Sequence, residues 1–168
     1  MNLTIRKAVV SDAGVIADLN SRLAEETEQM HLDRNLVRKG AEALTRDPSK
    51  GFYLVAEDEG RVVGQLMITC EWSDWRNGTF WWIQSVYVRR EYRGRGVYTG
   101  LHREVEKMAR ERGDIRGLRL YVEKNNETAQ RSYRRLGMSE TNYQMYAIDF
   151  VPGRGKPASR ETRPRGKR

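Results

Sequence analysis

Residues 85–113 read SVYVRREYRGRGVYTGLHREVEKMARERG. An apolar run ends at Val88. Four arginines and two glycines lie between Arg89 and Gly96, and apolar residues return at Val97, Leu101, Val105 and Met108. Steps of four, four and three put that second set on one face of a helix, and Gly113 is suited to end it in a left-handed conformation. The stretch is a buried strand, a glycine turn and an amphipathic helix. The mouth of such a helix carries backbone N–H groups without intrahelical partners and the positive end of the dipole. Gly94 and Gly96 have no Cβ to hold a ligand away, and Arg89, Arg90, Arg93 and Arg95 surround them. That combination suits an anion, above all a pyrophosphate; a plain turn with solvated arginines has the same spacing. Two nucleotide motifs are excluded. Thr99 stands where G-x-G-x-x-G needs its last glycine, and no Gly-Lys-Ser/Thr occurs.

Outward from this stretch, "NLTIRKAVV" reads as a first strand. Ser11 is the expected cap of a helix carrying Val15, Ile16, Leu19 and Leu23. A second helix from about Asp33 places Leu36, Val37, Ala41 and Leu44 on one face and stops at Asp47–Ser49. Two strands flank the Asp58–Gly60 turn. Asn77-Gly78 reads as a two-residue hairpin turn with positive φ at both positions, and a long strand runs from Thr79 to about Arg89. After the arginine-rich helix come a strand, "IRGLRLYVE", and a helix, "NNETAQRSYRRLG", with Asn126 as cap and Gly137 at its end. "MSETNYQMYAIDF" is expected to close the domain with one or two strands. The fold class is α/β (α+β): a mixed sheet, antiparallel first and parallel later, with helices on both faces.

The 168 residues suit one domain with a full core and carry a net charge of +8. That charge is unevenly placed. Residues 152–168 hold seven of the 31 basic residues and one of the 23 acidic ones, leaving +2 on the first 151. The expected organisation is a folded domain over 1–151 and a disordered basic tail over 152–168, too polar to offset its ordering entropy. Nucleic acid is not an expected partner beyond weak contact through that tail. No run approaches the roughly 20 apolar residues of a membrane span, and the N-terminus lacks a signal-peptide apolar region, so a cytoplasmic protein is expected. Cys70 has no disulfide partner and is expected to be an inert packed thiol. His31 and His102 lack ligand-spaced partners, so no metal is expected.

The two segments with the clearest motifs together resemble the GNAT family of N-acetyltransferases. Arg93-x-x-Gly96-x-Tyr98 is similar to its Arg/Gln-x-x-Gly-x-Gly/Ala signature, with Tyr98 where a small residue is usual. Asn126-x-x-Ala129-x-x-x-Tyr133-x-x-x-Gly137-Met138 is similar to its Asn-x-x-Ala-x-x-x-Tyr-x-x-x-Gly-Phe segment. The resemblance implies a parallel central pair splayed by a bulge and acetyl-CoA as cosubstrate. It implies that the backbone of Val86, Tyr87 and Val88 bonds the pantetheine arm as an added strand. The turn Arg93, Gly94, Arg95, Gly96, Val97 and Tyr98 would hold the diphosphate, and Asn126 would contact the cofactor arm. Tyr133 matches the general acid that protonates the departing thiolate. Many relatives carry a glutamate base on the preceding strand. Gln84 stands there, and an amide cannot serve, so no base is named.

On the acceptor side, Glu25, Glu26 and Glu28 end the first helix, where the dipole disfavours anions. They form either a solvated acidic face or a site for a cation. Trp72, Trp75, Trp81 and Trp82 flank one turn, and strand alternation puts Trp81 and Trp82 on opposite faces. Glu25, Glu26, Trp72, Trp82 and Gln84 are the candidate acceptor residues. The expected activity is acetyl transfer from acetyl-CoA to an amine by direct attack in a ternary complex, with a small cationic amine preferred. A protein or peptide amine, and a non-catalytic acyl-CoA-binding or RNA-associated module, are the alternatives. A homodimer is left open.

Overall fold

The computed structural model describes residues 2–148 and 150; the expected tail boundary and residues 152–168 lie outside them. Five strands and four α-helices follow one another as β1 (Leu3–Lys7), α1 (Ala13–Glu28), α2 (Arg34–Arg46), β2 (Phe52–Asp58), β3 (Arg61–Ser73), β4 (Gly78–Val88), α3 (Val97–Arg112), β5 (Ile115–Arg119) and α4 (Glu127–Arg135). The sheet order is β1-β2-β3-β4-β5. The first three pairings are antiparallel and β4–β5 is parallel, the mixed sheet the sequence implies. Two buried clusters cover its faces. On one, Leu54, Leu66, Ile68, Trp81 and Ile83 pack against Val97, Leu101 and Val105 of α3. On the other, Tyr53, Val55 and Tyr87 pack against Ile16 and Leu19 of α1 and Ala41 and Leu44 of α2. Burying one such aliphatic or aromatic side chain contributes about 1.5–3 kcal/mol. Among the described residues, no helix is long and apolar enough to cross a membrane.

Local chemistry explains most element ends. Asp33 caps α2 through its Oδ1, which accepts from the N–H groups of Asn35 and Leu36. Glu59 and Gly60 both have positive φ, as a tight β2–β3 hairpin requires. Gly113 ends α3 in the left-handed region.

Several expectations are corrected. Ser11 does not cap α1. A 3-10 turn, Val10–Asp12, precedes that helix, and the Asp12 carboxylate accepts from the Val9 N–H at 2.8 Å. Arg6 donates to the same carboxylate at 2.7 and 3.0 Å and to Glu57 on β2, holding the Asp12 carboxyl below its ordinary pKa. Leu36 is 69% exposed, because α2 turns only its Ala41–Leu44 side to the core. The β3–β4 turn spans residues 74–77, since Ser73 pairs with Gly78. Only Asn77 has positive φ there. Gly78 is needed for room instead, as a Cβ would meet the Arg116 side chain at 2.5 Å. Cys70 is exposed rather than packed, since β3 outruns its cover and is buried on neither face beyond Ile68. The strands expected near the C-terminus do not form among the described residues. A period-two apolar pattern makes a strand only beside a paired neighbour. None covers Tyr143, Met145, Tyr146, Ile148 and Phe150, all exposed.

Candidate active site

The site begins at a defect in β4. Gln65 pairs with Tyr87 and Met67 with Gln84, so Ser85 and Val86 together oppose one residue of β3. This is a β-bulge, and Ser85 takes φ +49° within it. Gln65, fully buried, supports the bulge from below. Its Nε2 donates to Asn20 Oδ1 at 2.7 Å and to the Ser85 carbonyl at 3.4 Å, and Asn20 donates to Tyr53 Oη. On its other side, β4 pairs with β5 only from Thr79 to Trp82, the last partner being Arg119. Beyond that rung the two strands part.

The orientation of the exposed backbone follows from one bond. The Arg89 N–H donates to the Val63 carbonyl at 2.9 Å. Peptide groups alternate along a strand, so those of Val86 and Val88 point away from β3, into the gap, while that of Tyr87 points towards β3. Of the three residues expected to offer backbone, Tyr87 is thus used by the sheet, and the Val88 carbonyl accepts from Arg93 Nε at 2.9 Å.

The turn leads into α3 through Gly94 (φ +72°) and Gly96 (φ +82°). The Gly100 N–H closes the first helical turn on Gly96 O at 2.9 Å. The N–H groups of Val97, Tyr98 and Thr99 remain at the helix mouth. A Cβ placed on either glycine would meet nothing within 4 Å, so there is open space over the turn for a phosphate. These residues fit a coenzyme A diphosphate. The bulk of Tyr98 does not obstruct them, because its ring turns inward against the α3-side core. It lies edge-on to Tyr133 at 5.6 Å and to His102 at 6.0 Å.

The arginines divide by role. Arg89 Nε donates to the Val62 carbonyl. Arg90 and Arg93 both donate to Glu26, at 3.1 and 2.8 Å. Arg95 lies over the Tyr92 ring at 5.8 Å. Three of the four are ties within the protein, where the sequence suggested four ligands around an anion. Glu26, expected at the acceptor, is drawn to this turn instead.

Tyr133 stands on α4, and burial pushes its phenol above the ordinary pKa of tyrosine, which keeps it protonated near neutrality. Asn126 caps α4, its Oδ1 accepting from the Ala129 N–H at 3.1 Å.

The acceptor candidates do not all meet. Glu25 is exposed, 3.7 Å from His31. Trp72 is on the face of β3 opposite to that of Glu71 and Thr69, so it cannot share a wall with Trp82, whose Cα partner is Thr69. Trp82 and Gln84 share one face of β4. Trp82 Nε1 donates to Glu71 and Gln84 Nε2 to Thr69, while Tyr121 Oη donates to Gln84 Oε1 at 3.4 Å. Arg119 pairs with Glu71 at 2.8 Å and lies over Phe80 at 3.8 Å. Glu71, Arg119 and Tyr121 were missed in the sequence. Their only signal is period-two registration with Gln84, visible once strand pairing is known. A cleft of about 410 Å³ lined by Lys7, Leu44, Phe52, Trp81 and Met108 lies elsewhere and touches neither Gly96 nor Tyr133.

Comparison with known proteins agrees with the mixed-sheet fold. Residues 16–138 match the Acetyltransferase (GNAT) family. The crystal structure of a possible acetyltransferase from Clostridium difficile 630 superposes with a TM-score of 0.82 at 44% identity, covering 89% of this chain and 98% of that one. A mycothiol acetyltransferase of Corynebacterium aurimucosum is 30% identical over 128 residues, 71% of this chain and 40% of the relative. The chain spans about two fifths of the length of the curated relatives it matches. The fold is shared with a predicted acetyltransferase from Clostridium acetobutylicum solved with acetyl-CoA, at a TM-score of 0.72 and 18% identity, covering 87% of this chain and 96% of that one.

Proposed function

The chain belongs to the acetyltransferase (GNAT) family, and from that premise we propose that it moves an acetyl group from acetyl-CoA to an amine. The observation that carries this reading is the bulge at Ser85–Val86 beside the parting of β4 from β5, with the mouth of α3 at the end of the same strand. The thioester supplies an activated acetyl carbon with a thiolate as leaving group. The Val86 peptide, turned into the gap, supplies the N–H that polarises the thioester carbonyl and an edge for an amide-bearing arm. Val97, Tyr98 and Thr99 offer their amides to the diphosphate, with Arg95, which has no carboxylate partner among the described residues, as a cation of the turn. Tyr133 gives its proton to the sulfur as the carbon–sulfur bond breaks. Asn126 acts through the cap that holds α4.

The acceptor enters on the face shared by Trp82, Gln84 and Tyr121. We favour a small cationic amine. Glu71, bonded by Trp82 and Arg119, supplies the carboxylate there, the part Glu26 was expected to play. Gln84 orients rather than deprotonates, and the amine proton leaves to water.

The test is thiol release from acetyl-CoA across a panel of small amines and peptide N-termini. Turnover with a small amine, slowed about 10²-fold in Tyr133→Phe at an unchanged acetyl-CoA KM, is the expected result. Equal turnover by the variant removes Tyr133 from the acid role. Turnover with peptides alone removes the small-amine reading.

A further inference from the structure

Glu26 lies in the last turn of α1, where the helix dipole disfavours an anion. It keeps that place through three donors, one at the end of β4 and two in the β4–α3 connection. Tyr87 Oη donates to Oε1 at 2.7 Å, Arg90 Nε to the same oxygen at 3.1 Å, and an Arg93 Nη to Oε2 at 2.8 Å. Arg93 is fastened twice more, over the Tyr87 ring at 5.2 Å and through its Nε to the Val88 carbonyl. The Glu26 side chain is only 19% exposed. Burial alone would raise its pKa, but the bonds from Tyr87, Arg93 and Arg90 outweigh it and hold the carboxyl below its ordinary value. One carboxylate thus joins α1, the end of β4 and the turn before α3.

We propose that Glu26 is a positioning residue of the acetyl-CoA site, holding Arg90 and Arg93 so that the turn presents its amides in one arrangement. This rests on the reading that the mouth of α3 receives the diphosphate. Two effects of the carboxylate oppose each other. Its charge repels a phosphate, and its bonds order a turn that contains two positive-φ glycines. The repulsion is small, because two guanidinium groups already neutralise that charge. The ordering is the larger effect, since a released glycine turn regains more backbone freedom than any other kind.

Glu26→Gln tests this at nearly constant volume and leaves an oxygen for Tyr87. The expected result is an acetyl-CoA KM, and a calorimetric Kd for coenzyme A, raised about tenfold, with kcat within twofold and the amine KM unchanged. Arg93→Met, a second variant, gives the same rise, and the double variant is no worse than either single one, as for partners in one tie. An unchanged or lower acetyl-CoA KM in folded Glu26→Gln overturns the proposal. So does a rise confined to the amine KM, which returns Glu26 to the acceptor side. Wild-type protein giving no heat with coenzyme A overturns the donor-site reading together with it. Wild type that binds while Glu26→Gln binds equally well overturns the Glu26 proposal alone.

Discussion

β4 is two strands in one. From Thr79 to Trp82 it has a neighbour on both sides, and its Trp81 is 2% exposed. From Ser85 to Val88 it keeps only β3, and its outer peptide groups face a gap. The first part is paired on both edges, with one register shift between Thr79 and Phe80 on the β5 side. The second leaves backbone groups unmatched by a neighbour, an arrangement the rest of the structure must support. Buried Gln65 under the bulge and Glu26 beside the turn are those supports. The contrast teaches that the backbone edge in the proposed cofactor gap is made by withholding a partner strand.

Three measurements break or sharpen that contrast. The largest effect belongs to the doubly paired part. Trp81→Ala removes a ring that packs edge-on against Phe52 and should cost about 3–5 kcal/mol of stability by urea denaturation. A loss under about 1 kcal/mol means that this part is not the anchor of the sheet.

A smaller effect belongs to the open part. Residues 127–135 of α4 have none fully buried, so the helix depends on its cap. Asn126→Ala should cost about 1 kcal/mol, felt locally. Hydrogen exchange should quicken in α4, and acetyl transfer should fall further than the melting temperature does. A variant with equal loss throughout the chain puts α4 in one cooperative unit with the sheet.

The smallest is a pH effect on α3, which bridges the two parts. His102 is 3% exposed, and both ring nitrogens lack partners among the described residues. Burial holds its pKa below the ordinary value, with Glu106 pulling the other way, and Tyr98 packs on the ring. The unfolded chain therefore binds the proton more readily. Stability from neutral His102 is fully present above about pH 6.5 and falls as pH drops towards the folded value, by at most about 1.4 kcal/mol per unit. His102→Leu should flatten the slope between pH 7 and 5. An unchanged slope assigns it to other groups.

Much of the local structure around the β4–α3 turn was legible in the sequence because its signals are local. Val97, Leu101 and Val105 show the helix by their period, Gly94 and Gly96 mark positive φ, and Asp33 and Asn126 announce caps within three residues of the amides they bond. The contacts of the acceptor candidates were not legible because they are not local. Glu26 meets Arg90 and Arg93, 64 and 67 positions later, and nothing near Glu26 signals them. Trp72 and Trp82 looked like one aromatic group, but the register of β3 on β4 sends them to opposite faces. Cys70 sits in an apolar run, yet exposure depends on how far α3 extends over β3.

By itself the sequence determined the four helices, the five strands up to β5, the glycine turn and the order in which they come, since each depends on φ, ψ and side-chain period within a few residues. The tertiary structure alone decided where β4 leaves β5, that Ser85 takes a left-handed conformation, and that Glu26 bonds Arg90 and Arg93 of the turn. Those outcomes depend on which distant groups can satisfy a buried charge or peptide, and that is settled only when the layers are packed together.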